Sequence, residues 1–192
     1  DSDIFNRWIL AGYEMIQSRD AFVYHLTCRG HRWNKGVGIV NDDYESTMNR
    51  CRHDFVRKWG DWIQNDEFQF PIINPKYDIG IILPYNNIDL LRNLEPWCNN
   101  IYCDANLRKH FISTDQKKSN YDLSKRVKPI YDEKINEILI TVDNNFNQQD
   151  FEIINQLSAI ITDNGEIGKF ELGNLKIEII KMKNYVNALI KL

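Results

Sequence analysis

The alternation of strand and helix patterns is clearest in residues 77–104, which read YDIGIILPYNNIDLLRNLEPWCNNIYCD. Ile79 to Leu83 is a short apolar run with the length and composition of a buried strand. Asn87 to Leu94 follows with apolar residues at helical spacing and with Asn86 or Asn87 as its cap. Asn100 to Asp104 then predicts a second strand. A strand, a helix and a strand in this order predict two parallel strands of an α/β sheet.

The same order continues toward the end of the chain. The polar residues from Asp115 to Asn120 predict an irregular excursion. After it we expect a strand, a helix and a β-hairpin, at Glu137 to Asp143, Gln148 to Ile160 and Lys169 to Ile180. Asn184 to Leu192 predicts a terminal helix or tail. Residues 71–192 are therefore expected to form a small, mostly parallel α/β domain with a C-terminal β-hairpin.

Residues 1–70 show a different pattern, and Pro71 and Pro75 mark the change as a linker. Helices are predicted at Ile4 to Ala11, where Gly12 ends the helix, and at Asp42 to Trp59. Between them we expect strands and a loop, at Tyr13 to Ile16, Ala21 to Leu26 and Cys28 to Gly38. The sequence thus predicts two domains, 1–70 and 71–192.

The composition is that of an ordinary globular chain. Its 192 residues are 43% hydrophobic and 27% charged, which suits one compact domain or two small ones. The net charge is -3, whereas proteins that bind nucleic acids normally carry a basic excess, so no nucleic-acid partner is expected. The longest apolar runs fall far short of the roughly 20 residues of a bilayer span, so no membrane span is expected.

The cysteines are too few and too far apart for a disulfide framework: Cys28, Cys51, Cys98 and Cys103. They predict a reducing, cytoplasmic location. Cys28, His31, Cys51 and His53 carry the atoms that zinc prefers. The single residue between Cys51 and His53 suits a tetrahedral site poorly, which favours scattered core and surface residues over a zinc site.

The first 25 residues, DSDIFNRWILAGYEMIQSRDAFVYH, place acidic residues at a helix start and a histidine at the end of an aromatic segment. This run resembles the end of the catalytic domain of family 2 glycosyltransferases, which have the nucleotide-sugar-binding A-type fold. The matching pieces, in order, are Asp1-Ser2-Asp3-Ile4-Phe5, Arg7, Ala11-Gly12-Tyr13 and Asp20-Ala21-Phe22-Val23-Tyr24-His25. A weaker similarity follows in Phe55-Val56-Arg57-Lys58-Trp59-Gly60, and residues from about 71 onward lie outside the resemblance.

The resemblance implies transfer of a sugar from a nucleotide-sugar donor to the hydroxyl of a glycan acceptor, with inversion. Such a transfer requires a carboxylate that accepts the hydroxyl proton. Asp1 matches that catalytic base, and Asp3 is implied to cap the helix or to orient the acceptor. The resemblance also implies a divalent metal ion, Mn²⁺ or Mg²⁺, that neutralises the leaving diphosphate, with His25 as its ligand.

The loop that follows His25 is cationic and contains Arg29, His31, Arg32, Trp33 and Lys35. Guanidinium groups form forked hydrogen bonds with phosphate oxygens, so we expect this loop to contact the donor phosphates or the acceptor. Residues 29–33 are also similar to the Gln-x-x-Arg-Trp acceptor-binding motif of processive members of the family. Arg29 stands in the place of the Gln, which leaves processivity open. A solvated surface loop is the alternative interpretation.

The donor-binding half of the implied family would lie upstream of Asp1. The chain opens at this residue without an initiator Met, so we expect it to be a fragment of a longer glycosyltransferase. A fragment that cannot position the sugar nucleotide loses most of the catalytic effect, so the chain alone is expected to be inactive.

The alternative function is a non-catalytic α/β module that binds a glycan or a protein. Polar residues follow three predicted strands, as Pro84-Tyr85-Asn86-Asn87, Asp104 and Asp143-Asn144-Asn145. Open α/β sheets bind ligands at the carboxyl ends of their strands, although Asn and Asp there also serve as turn and cap residues. Trp97, Tyr102 and Tyr121 would suit stacking on sugars if they were exposed, and burial in the core is the competing expectation.

Overall fold

The computed structural model describes residues 2–18, 20–24 and 41–190. The helices in these ranges are α1 (Ser2–Leu10), α2 (Asp42–Trp59), α3 (Ile88–Leu94), α4 (Ala105–Asp115), α5 (Leu123–Arg126) and α6 (Gln148–Asn164). The strands are β1 (Gln64–Asn65), β2 (Pro71–Ile72), β3 (Ile79–Ile82), β4 (Asn100–Cys103), β5 (Val127–Pro129), β6 (Ile138–Val142), β7 (Gly168–Leu172) and β8 (Leu175–Ile179). Short 3₁₀ turns occupy Glu95–Trp97, Gln116–Lys118 and Val186–Leu189.

Strands β3 to β8 form a six-stranded sheet in the order β5-β4-β3-β6-β8-β7. The neighbours among β5, β4, β3 and β6 are parallel, and β8 pairs antiparallel with both β6 and β7. Strands β1 and β2 form a separate antiparallel pair. The prediction of a mostly parallel α/β sheet with a C-terminal hairpin is therefore confirmed.

Alternate residues along the strands build one core on one face of the sheet. Ile81, Ile101 and Ile140 are fully buried and lie side by side across β3, β4 and β6. Helices α2, α3, α4 and α6 add Val56, Leu91, Phe111 and Leu157 to the same cluster. On the opposite face, side chains such as Leu139 are only partly buried. The helices thus cover mainly one side of the sheet.

The sequence located most of these elements through caps and apolar spacing. Helix α3 begins after Asn87, whose side chain accepts the Leu90 N–H, as the cap prediction requires. Helix α4 was missed, because only Leu107, Phe111 and Asp115 of its 11 residues are buried and no apolar stripe marks it. Residues 184–192, predicted as a terminal helix or tail, form only the 3₁₀ turn at 186–189 within the described residues.

The two strands predicted before residue 27 are wrong wherever the structure describes them. Residues 13–16 and 21–24 are irregular. Phe22, Val23 and Tyr24 are more than four-fifths exposed, and none of the described strands pairs with them. Strand propensity without a pairing partner does not make a strand. Leu26 and the loop that follows lie outside the described residues.

A buried cluster of charges joins α2 to the sheet-containing half of the chain. Glu95, which is fully buried, accepts hydrogen bonds from Arg57 Nε at 3.0 Å and Arg57 Nη2 at 2.6 Å. Its other carboxylate oxygen accepts from Arg126 Nε. Burial alone would raise the pKa of Glu95, but the two guanidinium groups outweigh it and lower the pKa below its ordinary value.

The C-terminal end of α2 is fixed by further contacts from the same half. Lys76 Nζ donates to the carbonyl oxygens of Arg57, at 2.5 Å, and Lys58, at 2.7 Å. Burial lowers the pKa of Lys76 to about 7, and the protonated amine favours the helix dipole. Gly60 adopts a φ of 82° and donates its N–H to Val56 O, which closes the helix. Helix α2 therefore packs on residues that follow it, and the predicted boundary near residue 70 stays a prediction.

Across 2–18, 20–24 and 41–190, no helix combines the length and the apolar character that crossing a bilayer requires.

The substitution Glu95→Gln should lower the free energy of unfolding by about 3 kcal/mol, because it removes the carboxylate that pairs with Arg126 and leaves Arg57 with Asp54 alone. Chemical denaturation of the chain measures this change. Glu133→Gln is the matched control, since Glu133 is exposed, and its effect should stay within about 0.5 kcal/mol. Equal losses in the two variants would contradict the role given to Glu95.

The stabilising effect of Glu95 should also depend on pH. The folded pKa lies below the ordinary value of 4.5, so the ionised carboxylate stabilises the fold fully above that value. The contribution is lost as the pH falls through the lowered folded pKa. Unfolding free energies of the parent chain and Glu95→Gln should therefore differ most near neutral pH and converge on acidification. A difference that is independent of pH would exclude this linkage.

Candidate functional site

The connections between strands diverge between β3 and β6. β3 leads through α3 to β4 on one side, and β6 leads through α6 to the β7–β8 hairpin on the other. The loops that follow β3 and β6 therefore separate and leave an opening beyond the carboxyl ends of the strands. Open α/β sheets bind their ligands at this point. We call the cavity found there, of about 620 Å³, the switch-point crevice.

The crevice has an amide-rich and aromatic lining with a single carboxylate. Its residues are Tyr85, Asn87, Asp89, Leu90, Asn93, Asn144, Phe146, Asn147, Gln148 and Phe151. Five of these ten side chains are amides, three are aromatic rings, one is a carboxylate, and none is a lysine or arginine. The crevice therefore offers neutral hydrogen-bonding groups and ring faces to a ligand.

A hydrogen bond connects the two loops that form the crevice. Tyr85, in the loop after β3, donates its hydroxyl proton to the carbonyl oxygen of Asp143 at 2.9 Å. Burial, together with the nearby carboxylates of Asp143 and Asp150, raises the pKa of Tyr85, so the phenol stays protonated and able to donate. The relative position of the two loops thus depends partly on Tyr85.

The β6 side of the crevice is fixed by a capping box at the start of α6. Asn147 Oδ1 accepts the N–H of Gln149 at 2.8 Å, and Asp150 Oδ2 accepts the N–H of Asn147 at 2.8 Å. The buried carboxylate of Asp150 also accepts two bonds from Asn174 in the β7–β8 turn. Gly173, with a φ of 59°, lets this turn approach, because a Cβ there would lie 2.3 Å from Asp150 Oδ1. These hydrogen bonds therefore fix the positions of the loop after β6, the start of α6 and the β7–β8 hairpin relative to one another.

The structure brings together some of the polar residues that follow the predicted strands. Tyr85, Asn87 and Asn144 line the crevice, whereas Asp104 caps α4 by accepting the N–H groups of Asn106 and Leu107. The sequence interpretation missed the other seven lining residues: Asp89, Leu90, Asn93, Phe146, Asn147, Gln148 and Phe151. The spacing of four residues between Asp89 and Asn93 and of three between Gln148 and Phe151 was the available signal, since such residues share one helix face.

The aromatic residues considered for stacking on sugars lie mainly in the core. Trp97 is 6% exposed and makes edge contacts with the rings of Trp62 and Phe151. Tyr102 is buried and donates its hydroxyl proton to Asn136 Oδ1 at 2.9 Å. Tyr121 is partly buried beside the Arg126 guanidinium. Burial, the competing expectation, holds for Trp97 and Tyr102.

Of the site residues implied by the glycosyltransferase resemblance, Asp3 is the one that the structure describes. Asp1, His25, Arg29, His31, Arg32, Trp33 and Lys35 lie outside the described residues. Asp3 Oδ1 accepts hydrogen bonds from Trp59 Nε1 at 2.8 Å and Lys58 Nζ at 2.6 Å. Burial opposes the ionisation of Asp3, but these two donors outweigh it and lower its pKa. Asp3 thus holds α1 against the end of α2, and its predicted role stays a prediction.

The metal predictions depend on residues that are not described. Across the described ranges, no group of three or more His, Cys, Asp or Glu side chains could hold a metal ion. His25 lies outside these ranges, as do Cys28 and His31 of the zinc alternative. The divalent metal ion therefore stays a prediction. Cys51, Cys98 and Cys103 are free thiols, and the cytoplasmic location also stays a prediction.

Comparisons of the chain with protein-family models, with curated proteins and with solved structures find no match.

Proposed function

We propose that the sheet-containing half of the chain binds a carbohydrate in the switch-point crevice. The observation that carries this proposal is the lining of five amides and three aromatic rings without a lysine or arginine. Amide side chains donate to and accept from sugar hydroxyls, and ring faces pack against the C–H faces of a pyranose. The cavity volume lies within the range of small-molecule sites, which is about 300–1,000 Å³.

The same crevice is poorly suited to a phosphate group. Helix N-termini bind phosphates through unpaired backbone N–H groups. At α3 the side chain of Asn87 already accepts the Leu90 N–H, and at α6 Asn147 accepts those of Gln149 and Asp150. The one charged side chain of the lining is the carboxylate of Asp89, which would repel an anion. A neutral, hydroxyl-rich ligand therefore fits better than a nucleotide.

A carbohydrate-binding crevice would complement the activity that the N-terminal resemblance implies. We propose that the chain is part of an inverting glycosyltransferase, in which this module holds the glycan acceptor. Supporting this second proposal, the two segments of the resemblance touch each other through Asp3, Lys58 and Trp59. The transferase and the crevice are separate proposals, because the crevice would bind a glycan in a non-catalytic module as well.

Substitutions in the crevice should weaken binding of neutral oligosaccharides. We expect Asn144→Ala and Gln148→Ala each to weaken binding about fivefold or more, since each removes one or two hydrogen bonds to the sugar. Isothermal titration calorimetry with a panel of uncharged oligosaccharides measures the dissociation constants. Both side chains are exposed, so the variants should fold like the parent chain.

The neighbouring residues provide matched controls for these two substitutions. Asn145 and Gln149 are also exposed, but their side chains do not line the crevice. Asn145→Ala and Gln149→Ala should leave binding within about twofold of the parent chain. The crevice proposal is wrong if no oligosaccharide of the panel binds, or if the control variants lose as much affinity as the crevice variants.

The transferase proposal is tested in a longer protein that contains this chain and has sugar-transfer activity. Asp1→Asn should reduce transfer by about 10²–10⁴-fold while donor binding is retained, because it removes the proposed base. Asp3→Asn should have a smaller effect, because the carboxylate of Asp3 is held by Lys58 and Trp59. The measurement of sugar transfer is the amount of nucleoside diphosphate released. Undiminished transfer by Asp1→Asn would exclude Asp1 as the base.

A further inference from the structure

A second cavity, of about 470 Å³, lies between α2, α3 and α4 and has the opposite character to the crevice. We call it the basic groove. The ionisable residues that line it are Arg50, His53, Arg57, Arg92, Asp115 and Lys118. Four cationic side chains thus face one carboxylate, although the whole chain has a net charge of -3.

The pairing of these charges leaves a local excess of positive charge. Arg57 is balanced outside the groove by Glu95 and by Asp54. Arg92 and Lys118 share the carboxylate of Asp115, with N–O distances of 3.1 and 2.7 Å. Arg92 also contacts the exposed Asp89 at 3.1 Å.

Arg50 is the residue that points to a ligand. Its Nε atom is buried and has no hydrogen-bond partner in the structure. A buried donor without an acceptor costs roughly 1–3 kcal/mol, so such atoms normally have a partner. Arg92 and Lys118 already have carboxylate partners, whereas no ion pair of Arg50 is found within the described residues. An anion in the groove would balance the charge of the Arg50 guanidinium.

We propose that the basic groove binds a phosphoryl group, with Arg50 and Lys118 as its main ligands and Arg92 beside it. Guanidinium groups form paired hydrogen bonds with phosphate oxygens, and lysine binds them as a point charge. The groove offers both kinds of donor, whereas the switch-point crevice offers neither. This site is independent of the proposed carbohydrate site, although Asn93 of α3 lines both cavities.

The test is isothermal titration calorimetry of the chain with inorganic phosphate and with glycerol phosphate, each against sodium chloride of equal ionic strength. One site per chain is expected. Tighter binding of the ester would mean that the groove takes phosphorylated ligands, and tighter binding of inorganic phosphate would mean that it takes the free anion. Failure of both to bind overturns the proposal.

Arg50→Gln and Lys118→Gln should each weaken phosphate binding by about tenfold, since each removes a charge-assisted hydrogen bond. Lys117→Gln is the matched control: it removes the same charge from the neighbouring, exposed lysine, which does not line the groove. The phosphate affinity of Lys117→Gln should stay within about twofold of that of the parent chain. Equal weakening in Lys117→Gln and Lys118→Gln would overturn the proposal. If Arg50→Gln does not fold, as judged by circular dichroism, the phosphate affinity of Lys118→Gln tests the proposal.

His53 provides a second measurement inside the groove. Burial lowers the pKa of His53, and the Arg57 guanidinium lowers it further, while Glu95 and Asp54 partly oppose this change. A bound phosphate would stabilise the imidazolium and raise this pKa. Nuclear magnetic resonance titration of His53 with and without phosphate should show the increase in the parent chain and a smaller one in Lys118→Gln. An unchanged His53 pKa under saturating phosphate would place the anion elsewhere.

Discussion

The ion pairs of Glu95 with Arg57 and Arg126 connect segments that are far apart along the chain. Glu95 directly follows α3, Arg57 belongs to α2, and Arg126 ends α5 where β5 begins. Buried charges are tolerated only while each has its partners, so this cluster accepts little displacement of α2 from the sheet. The basic groove lies between α2, α3 and α4, and its shape therefore depends on Glu95.

Helix α3 separates two surfaces with different chemistry. On one side, the divergence of the connections after β3 and β6 opens the switch-point crevice, where the caps Asn87 and Asn147 bond one N–H group of α3 and two of α6. On the other side, cationic residues of α2 and α3 meet Lys118, and a buried guanidinium nitrogen of Arg50 has no acceptor. Asn93 lies in both linings, so the two surfaces are neighbours. A neutral sugar and a phosphoryl group are the ligand classes that these linings fit.

Local sequence patterns predicted the sheet because they reflect local physics. β-branched runs mark β3 and β6, and the side chain of Asn87 caps α3 as expected. Contacts between distant residues leave no such pattern: Arg57 and Glu95 are 38 residues apart, and Asp3 and Trp59 are 56 apart. The strands predicted in 13–16 and 21–26 are wrong wherever they are described, for a related reason: a strand requires a pairing partner, which strand propensity cannot supply. The crevice was predicted in part, because polar residues directly after a strand mark the edge of the sheet. The lining residues inside α3 and α6 show only the spacing of one helix face, which does not distinguish a ligand site from an ordinary surface.

Carbohydrate recognition by the amide-rich and aromatic crevice at the switch point is the central claim, and a crystal structure of the chain with a bound neutral oligosaccharide tests it most directly. We predict a sugar ring between the loops that follow β3 and β6, with its hydroxyls bonded to Asn144 and Gln148 and its apolar face near Phe146. A sugar bound away from these loops, or within the basic groove, would contradict the claim.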